Sequence, residues 1–330
     1  MLRLPWFEHR APRSVAEAAQ ILAGEGPRAM LIAGGTDLLP NMKRRHQAPQ
    51  VLVSLAQVSE LRKMNGSFGS GLTLSQISAN PGTPTALRQA AIQVATPHIR
   101  NAGTLGGNLC LDTRCTYYNQ TYEWRKAIDF CLKKDGSICW VATASKRCVA
   151  VSSTDTAPAL IALNAAVTLV SSRGMREVKV EDLYRNDGIE YLSRRPDEIL
   201  TEVRVPAGWK STYWKLRRRG SFDFPILGVA AAIRLSGDVI EEARLALGAV
   251  ASRPFLVDKA SEFLKGKQLS DEVIAEAAGM VANRAKPMDN TDMDLYWRKE
   301  VADDFAGYAL RELRGDDLRA TRLRIARQAL

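Results

Sequence analysis

The sequence predicts an α+β chain: a small α/β opening, a turn-rich middle, and a C-terminal antiparallel sheet followed by helices. Three observations predict it. Short apolar runs at 29–33 and 51–55 read as buried strands beside a helical stretch at 14–24. The segments at 211–219, 224–236 and 241–254 read as three successive strands, with turns at Gly220 and at Ser236-Gly237. Helices then follow at 257–264, 270–285 and 294–313, and strands first with helices after is the α+β pattern.

Taken in order, Ser14 is a candidate N-cap with Glu17 three residues on, and Gly24 stops that first helix. Gly34-Gly35-Thr36-Asp37 turns directly out of the first strand. Between 58 and 100 Gly, Ser and Pro are dense, so turns and short strands are expected before a helix at 84–95. A second Gly turn stands at 103–108. A helix at 156–163 and strands at 166–171 and 198–206 complete the middle, the last alternating and ending at Pro206.

At 330 residues the chain suits two or three subdomains. No apolar run reaches the roughly 18–20 residues that span a bilayer, and the N-terminus lacks the apolar core of a secretory signal. These features point to a cytoplasmic protein. The net charge of +10 raises nucleic acid as a partner, but the basic residues are spread out and the densest run, Lys215 to Arg219, lies on a predicted strand. An acidic protein partner or an anionic cofactor suits the charge better, and no nucleic-acid role is expected.

Two glycine loops carry the first chemical signal. Leu31-Ile32-Ala33-Gly34-Gly35-Thr36-Asp37-Leu38 follows a strand, and glycines there bring bare N–H groups close to a phosphate. Thr104-Leu105-Gly106-Gly107-Asn108 repeats that chemistry. Either alone is more often a simple turn; together they suggest a pyrophosphate gripped from two sides. Neither fits a dinucleotide-binding fingerprint or a P-loop.

The cysteines carry the second. All five lie within 110–148, at gaps of 5, 16, 8 and 9. The C-x2-C pair usual in zinc ribbons is absent, and none of the three histidines is near. Four widely spaced thiolates suit a 4Fe-4S cluster, whose irons each need one. Cys110, beside the phosphate loop, is then the spare. Five buried thiols, or a zinc site, remain open alternatives. Tyr117, Tyr118, Tyr122, Trp124, Phe130 and Trp140 would wrap a cluster, or form the core of an inserted lobe.

The segments LIAGGTDLLPNMK, ATPHIRNAGTLGGNL, STDTAPALIALNA and YWKLRRRGSFDFPILGVAAAI resemble the FAD-binding medium subunit of the molybdenum hydroxylases, the xanthine dehydrogenase family. The resemblance spans nearly the whole chain in order. It implies a two-subdomain FAD-binding fold of the vanillyl-alcohol-oxidase (PCMH-like) type plus a C-terminal domain of the CO-dehydrogenase flavoprotein type. The units would be 1–57, 58–207 with a Cys-rich insert at about 110–150, and 208–330. NLCLDTRCTYYNQ with the later cysteines is most similar to the β subunit of 4-hydroxybenzoyl-CoA reductase, a branch with an extra 4Fe-4S cluster. That resemblance implies Cys115, Cys131, Cys139 and Cys148 as ligands. It places the FAD pyrophosphate against Leu31 to Leu38 and Thr104 to Asn108, and matches Asp155, Leu200 and Lys215, with Val94 less closely, to positions near the flavin. Without the family, Asp155 reads equally as a helix cap, Lys215 as a solvated charge and Leu200 as core. The segment 63–85 is shorter than the family's by roughly nine residues.

The implied role is electron transfer through FAD and a 4Fe-4S cluster, with no substrate chemistry on this chain. Implied partners are a large molybdopterin subunit and a small subunit with 2Fe-2S clusters, as a dimer of heterotrimers. As a reductase, the complex would take electrons from a low-potential donor such as ferredoxin and remove a phenolic hydroxyl from an aromatic CoA thioester. The alternative is an oxidative enzyme of the xanthine, aldehyde or CO dehydrogenase type, or else a stand-alone flavin oxidase.

Overall fold

The computed structural model describes residues 3–220 and 222–327; residues 1, 2, 221 and 328–330, which fall within the expected first and third units, lie outside them. Three sheets organise the described chain. The first is parallel, with β1 (Glu8–Arg10), β2 (Ala29–Ile32) and β3 (Val51–Ser54) in the order β1-β3-β2. Between its strands run α1 (Val15–Glu25) and α2 (Leu38–Lys43). The Ser14 hydroxyl caps α1 by accepting from the Glu17 N–H at 3.1 Å. Ala18, Ala19 and Leu22 of α1 pack on Val51 and Val53, and Ile199 from the next sheet joins them. β2 is half-buried rather than fully buried.

The middle of the chain gives β4 (Phe68–Gly69) and four short helices: α3 (Leu74–Ala79), α4 (Thr85–Gln93), α5 (Pro97–Ala102) and α6 (Leu105–Leu109). Within 63–85 the structure thus has a two-residue strand, β4, followed by helix α3. The cysteine stretch holds α7 (Tyr122–Ala127). Then come α8 (Thr156–Ala162), β5 (Ala166–Ser171), β6 (Gly174–Lys179) and β7 (Ile199–Arg204). The second sheet, β4-β7-β5-β6, is antiparallel.

The third sheet, also antiparallel, takes β8 (Lys210–Leu216), β9 (Leu227–Ser236), β10 (Val239–Gly248) and β11 (Phe255–Leu256) in the order β11-β10-β9-β8. One face is covered by α9 (Asp258–Leu264), α10 (Asp271–Arg284) and α11 (Leu295–Arg314), which pack Ile274, Val281, Phe305 and Leu310 onto Leu227, Val229, Ile233 and Leu245. A final helix, α12 (Arg319–Arg327), was not expected. The other face meets the second unit: Tyr213, Ala230, Ala232 and Ala246 share a core with Leu87 of α4, Leu160 of α8 and Leu169 of β5. The chain is therefore α+β, with antiparallel sheet and helices at its C-terminal end. No helix among the described residues is long and apolar enough to cross a membrane.

Candidate functional site

The first glycine loop leaves β2 and enters α2. Gly35 sits at φ 69°, a left-handed conformation that side chains disfavour. The backbone N–H groups of Gly34, Gly35, Thr36 and Asp37 donate to no described residue. A run of unpaired donors on a tight turn is the geometry that binds phosphate oxygens. Leu31 and Ile32, ending β2, and Ala33 and Leu38 beside the turn are all half-buried and fix its two ends. The Asp37 carboxylate turns away toward the cysteine stretch. It pairs with Arg114 and accepts from Asn41 Nδ2 at 3.2 Å.

The second glycine loop differs from expectation. Thr104 to Asn108 form no second open cradle; Leu105 begins the short helix α6, and the donors are already engaged. Leu105 N–H donates to the Leu72 carbonyl at 2.9 Å, Gly106 N–H to the Ser70 carbonyl at 2.8 Å, and Gly107 N–H to the Thr104 hydroxyl at 3.0 Å. Gly106 serves close packing: a Cβ there would fall 2.7 Å from Ser70 Cβ. The loop instead packs against the first one. A Cβ on Gly34 would lie 1.9 Å from the Ala102 carbonyl oxygen, so only glycine lets the two loops touch. Asn108 is buried, and its Oδ1 accepts from the hydroxyls of Thr154 at 2.8 Å and Thr156 at 2.7 Å. Its Nδ2 has no described acceptor and is a free donor.

Asp155 does not cap α8; its side chain makes no cap hydrogen bond. It is 2% exposed, and its carboxylate accepts from Tyr213 Oη at 2.8 Å and Lys215 Nζ at 3.0 Å. Lys215 is not a solvated charge, since its ammonium also donates to the carbonyls of Gln93 at 3.0 Å and Asp223 at 2.8 Å. Burial pushes the Asp155 carboxyl up and the Lys215 ammonium down, and each opposes the other's shift by pairing. The pair ties α4, α8 and β8 together beside Val94, which is half-buried. Leu200 lies in the core of β7. Tyr213, which the sequence reading passed over as a strand aromatic, is the third member of this cluster.

Four of the five cysteines converge. Cys115, Cys131, Cys139 and Cys148 are buried and line one pocket with Tyr117, Tyr118, Leu132, Lys133, Trp140, Val141 and Ala150. Burial pushes the Cys115 thiol up to about 11 and the Cys148 thiol up to about 12. Thiols so desolvated are stable as thiols and become thiolates when a metal takes them. Cys110 stands apart after α6, packed against the second unit's core. Of the six aromatics named from sequence, Tyr117, Tyr118 and Trp140 line the pocket, whereas Tyr122, Trp124 and Phe130 do not. No three His, Cys, Asp or Glu side chains among the described residues are placed to hold a metal ion.

Arg114, one residue before Cys115, connects the two regions. Beyond its ion pair with Asp37, it donates to Asn41 Oδ1 at 3.0 Å, and its guanidinium lies 5.0 Å from the Phe224 ring centroid.

Residues 6–208 match the family model described as the FAD binding domain in molybdopterin dehydrogenase, and residues 211–313 match the CO dehydrogenase flavoprotein C-terminal domain. The chain is 26% identical over 324 residues to the glyceraldehyde dehydrogenase medium chain of Sulfolobus acidocaldarius, covering 94% of this chain and 99% of that one. It is 30% identical to the aldehyde oxidoreductase FAD-binding subunit of Escherichia coli, covering 85% and 93%. Among solved structures, a chain of the carbon monoxide dehydrogenase of Hydrogenophaga pseudoflava superposes with a TM-score of 0.75 at 26% identity, covering 94% of this chain and 97% of that one.

Proposed function

Because this chain belongs to the FAD-binding medium subunits of the molybdenum hydroxylases, an oxidoreductase family, we propose that it relays electrons through FAD inside a larger complex. The observation that carries this reading is the run of free N–H donors from Gly34 to Asp37, held in place by the second glycine loop. Those donors, with Asn108 Nδ2, would hold the pyrophosphate. When bound, the flavin supplies the ability to exchange electrons singly or in pairs. The chain's own residues bind it, orient it and keep water from it.

We read the first two sheets as the two subdomains of a vanillyl-alcohol-oxidase-like flavoprotein fold, with boundaries near 57 and 207. The buried Asp155–Tyr213–Lys215 cluster, with Leu200 and Val94, then shapes the flavin end of the cleft. Partners follow from the family: a large molybdopterin subunit and a small 2Fe-2S subunit, assembled as a dimer of heterotrimers.

The relatives favour an oxidative complex of the carbon monoxide or aldehyde dehydrogenase kind over the reductase expected from the insert. Reductive removal of a phenolic hydroxyl from an aromatic CoA thioester, fed by ferredoxin, is kept as a second reading for one reason: four buried cysteines ring one pocket. They are the donor set for a 4Fe-4S cluster, one thiolate to each iron. Isolation of the native complex tests the assignment. A molybdenum-bearing large subunit and a 2Fe-2S subunit should co-purify with this chain. Recovery of the chain alone, with flavin-dependent oxidase activity of its own, would contradict it.

A further inference from the structure

Lys133 is the only charged side chain among the residues that line the cysteine pocket. It is 6% exposed, and its ammonium is gripped by Asp112 Oδ1 at 2.8 Å, Thr113 Oγ1 at 2.6 Å and the Gly188 carbonyl at 2.5 Å. The rings of Tyr118 and Tyr191 lie 4.8 and 5.5 Å from it. Three acceptors and two ring faces surround the ammonium. Gly188 fixes it relative to the thiols. A Cβ on Gly188 would fall 2.6 Å from Cys148 Sγ, and the Gly188 N–H donates to the Cys148 carbonyl at 2.8 Å. One residue thus touches a thiol and holds the cation. Asp112 stands behind the ammonium and is not part of the pocket wall. Its second oxygen accepts from Tyr118 Oη at 3.0 Å.

A buried charge acts strongly in this setting because little water screens it. We propose that Lys133 is a positioning residue that sets the potential of the cysteine pocket: its fixed positive charge makes a cluster held there easier to reduce. The inference rests on reading Cys115, Cys131, Cys139 and Cys148 as cluster ligands. A cluster held there would take up one electron at a time and would then carry one more negative charge beside the Lys133 ammonium. Net charge and hydrogen bonds around the sulfurs are what the protein uses to tune such centres.

The test is a redox titration of the oxygen-free complex, followed by electron paramagnetic resonance. Lys133→Met should keep iron and flavin but lower the cluster's reduction equilibrium about tenfold or more, a midpoint shift of about 59 mV per factor of ten for one electron. Lys133→Arg should hold the wild-type midpoint, and Asp112→Asn should move it the opposite way. An unmoved midpoint in Lys133→Met overturns the inference, as would equal shifts in the Met and Arg variants. Should Lys133→Met lose iron while Lys133→Arg keeps it at the wild-type midpoint, the charge is again what matters; loss in both overturns it. A wild-type complex with no iron on this chain would instead sink the cluster reading itself, a separate and recognisable failure.

Discussion

Asp155 and Lys215 illustrate how single residues carry the account. Each is buried, and each would be costly alone. Removing one partner of a buried ion pair strands the other, a loss of about 3–5 kcal/mol. Lys215→Met should therefore lower unfolding stability by about that much in urea titration; a change below about 1 kcal/mol would mean the pair is solvated. Apart from the family resemblance, nothing in the sequence distinguished this lysine from its neighbours Arg217 to Arg219. What distinguishes it is its face of a strand buried on both sides: Tyr213 and Lys215, two residues apart, both reach Asp155. His46 offers a pH test. Burial, aided by Arg125, holds it down at about 4, and its ring stacks on Tyr118 at 4.0 Å. The folded chain keeps His46 neutral, while the unfolded chain takes a proton below about 6.5. Stability from this group is intact above pH 6.5 and falls as pH drops toward 4, by about 3 kcal/mol in all. The slope should flatten in His46→Gln; an unchanged slope would assign it to other groups.

Among elements, the long ones were legible and the short ones were not. The helix at 14–24, the strands at 51–55 and 166–171 and the three long strands of the four-stranded last sheet follow from periodicity and capping. β1 was missed because its three residues are all exposed and show no alternation. β6 was missed because Gly174–Lys179 is mostly exposed and polar, as befits an edge strand. Helix α6 was read as a turn because two glycines in five residues argue against helix. The bonds from its N–H groups to the Ser70 and Leu72 carbonyls override that preference. The same contacts change what the glycines are for. Gly34 earns its place by contact with Ala102, so Gly34→Ala should part the loops. Flavin retained through gel filtration should fall at least about tenfold, since no small backbone shift relieves a Cβ set 1.9 Å from a carbonyl oxygen. A fully yellow variant would show the loops do not form the cradle.

On the scale of the whole molecule, the cysteine lobe contacts three stretches that lie far apart in the chain. Arg114 reaches Asp37 and Asn41 of the first, Thr113 Oγ1 donates to the Gly188 carbonyl of the second at 2.6 Å, and Thr116 N–H donates to the Asn290 carbonyl of the third at 3.0 Å. Clustering of the cysteines was plain from the sequence; the lobe's contacts were not, because its partners lie far off in the chain. The proposed flavin cradle, Gly34 to Asp37 with Asn108, nonetheless uses residues outside the lobe. Cys131→Ser should accordingly lose iron yet keep FAD, by iron and flavin assay of the same sample; unchanged iron would remove Cys131 from the ligand set. The most direct measurement is the flavin, iron and acid-labile sulfide content of this chain, separated from its partners without oxygen. The account predicts one FAD with about four irons and four sulfides per chain. A chain that carries neither flavin nor sulfide would contradict it.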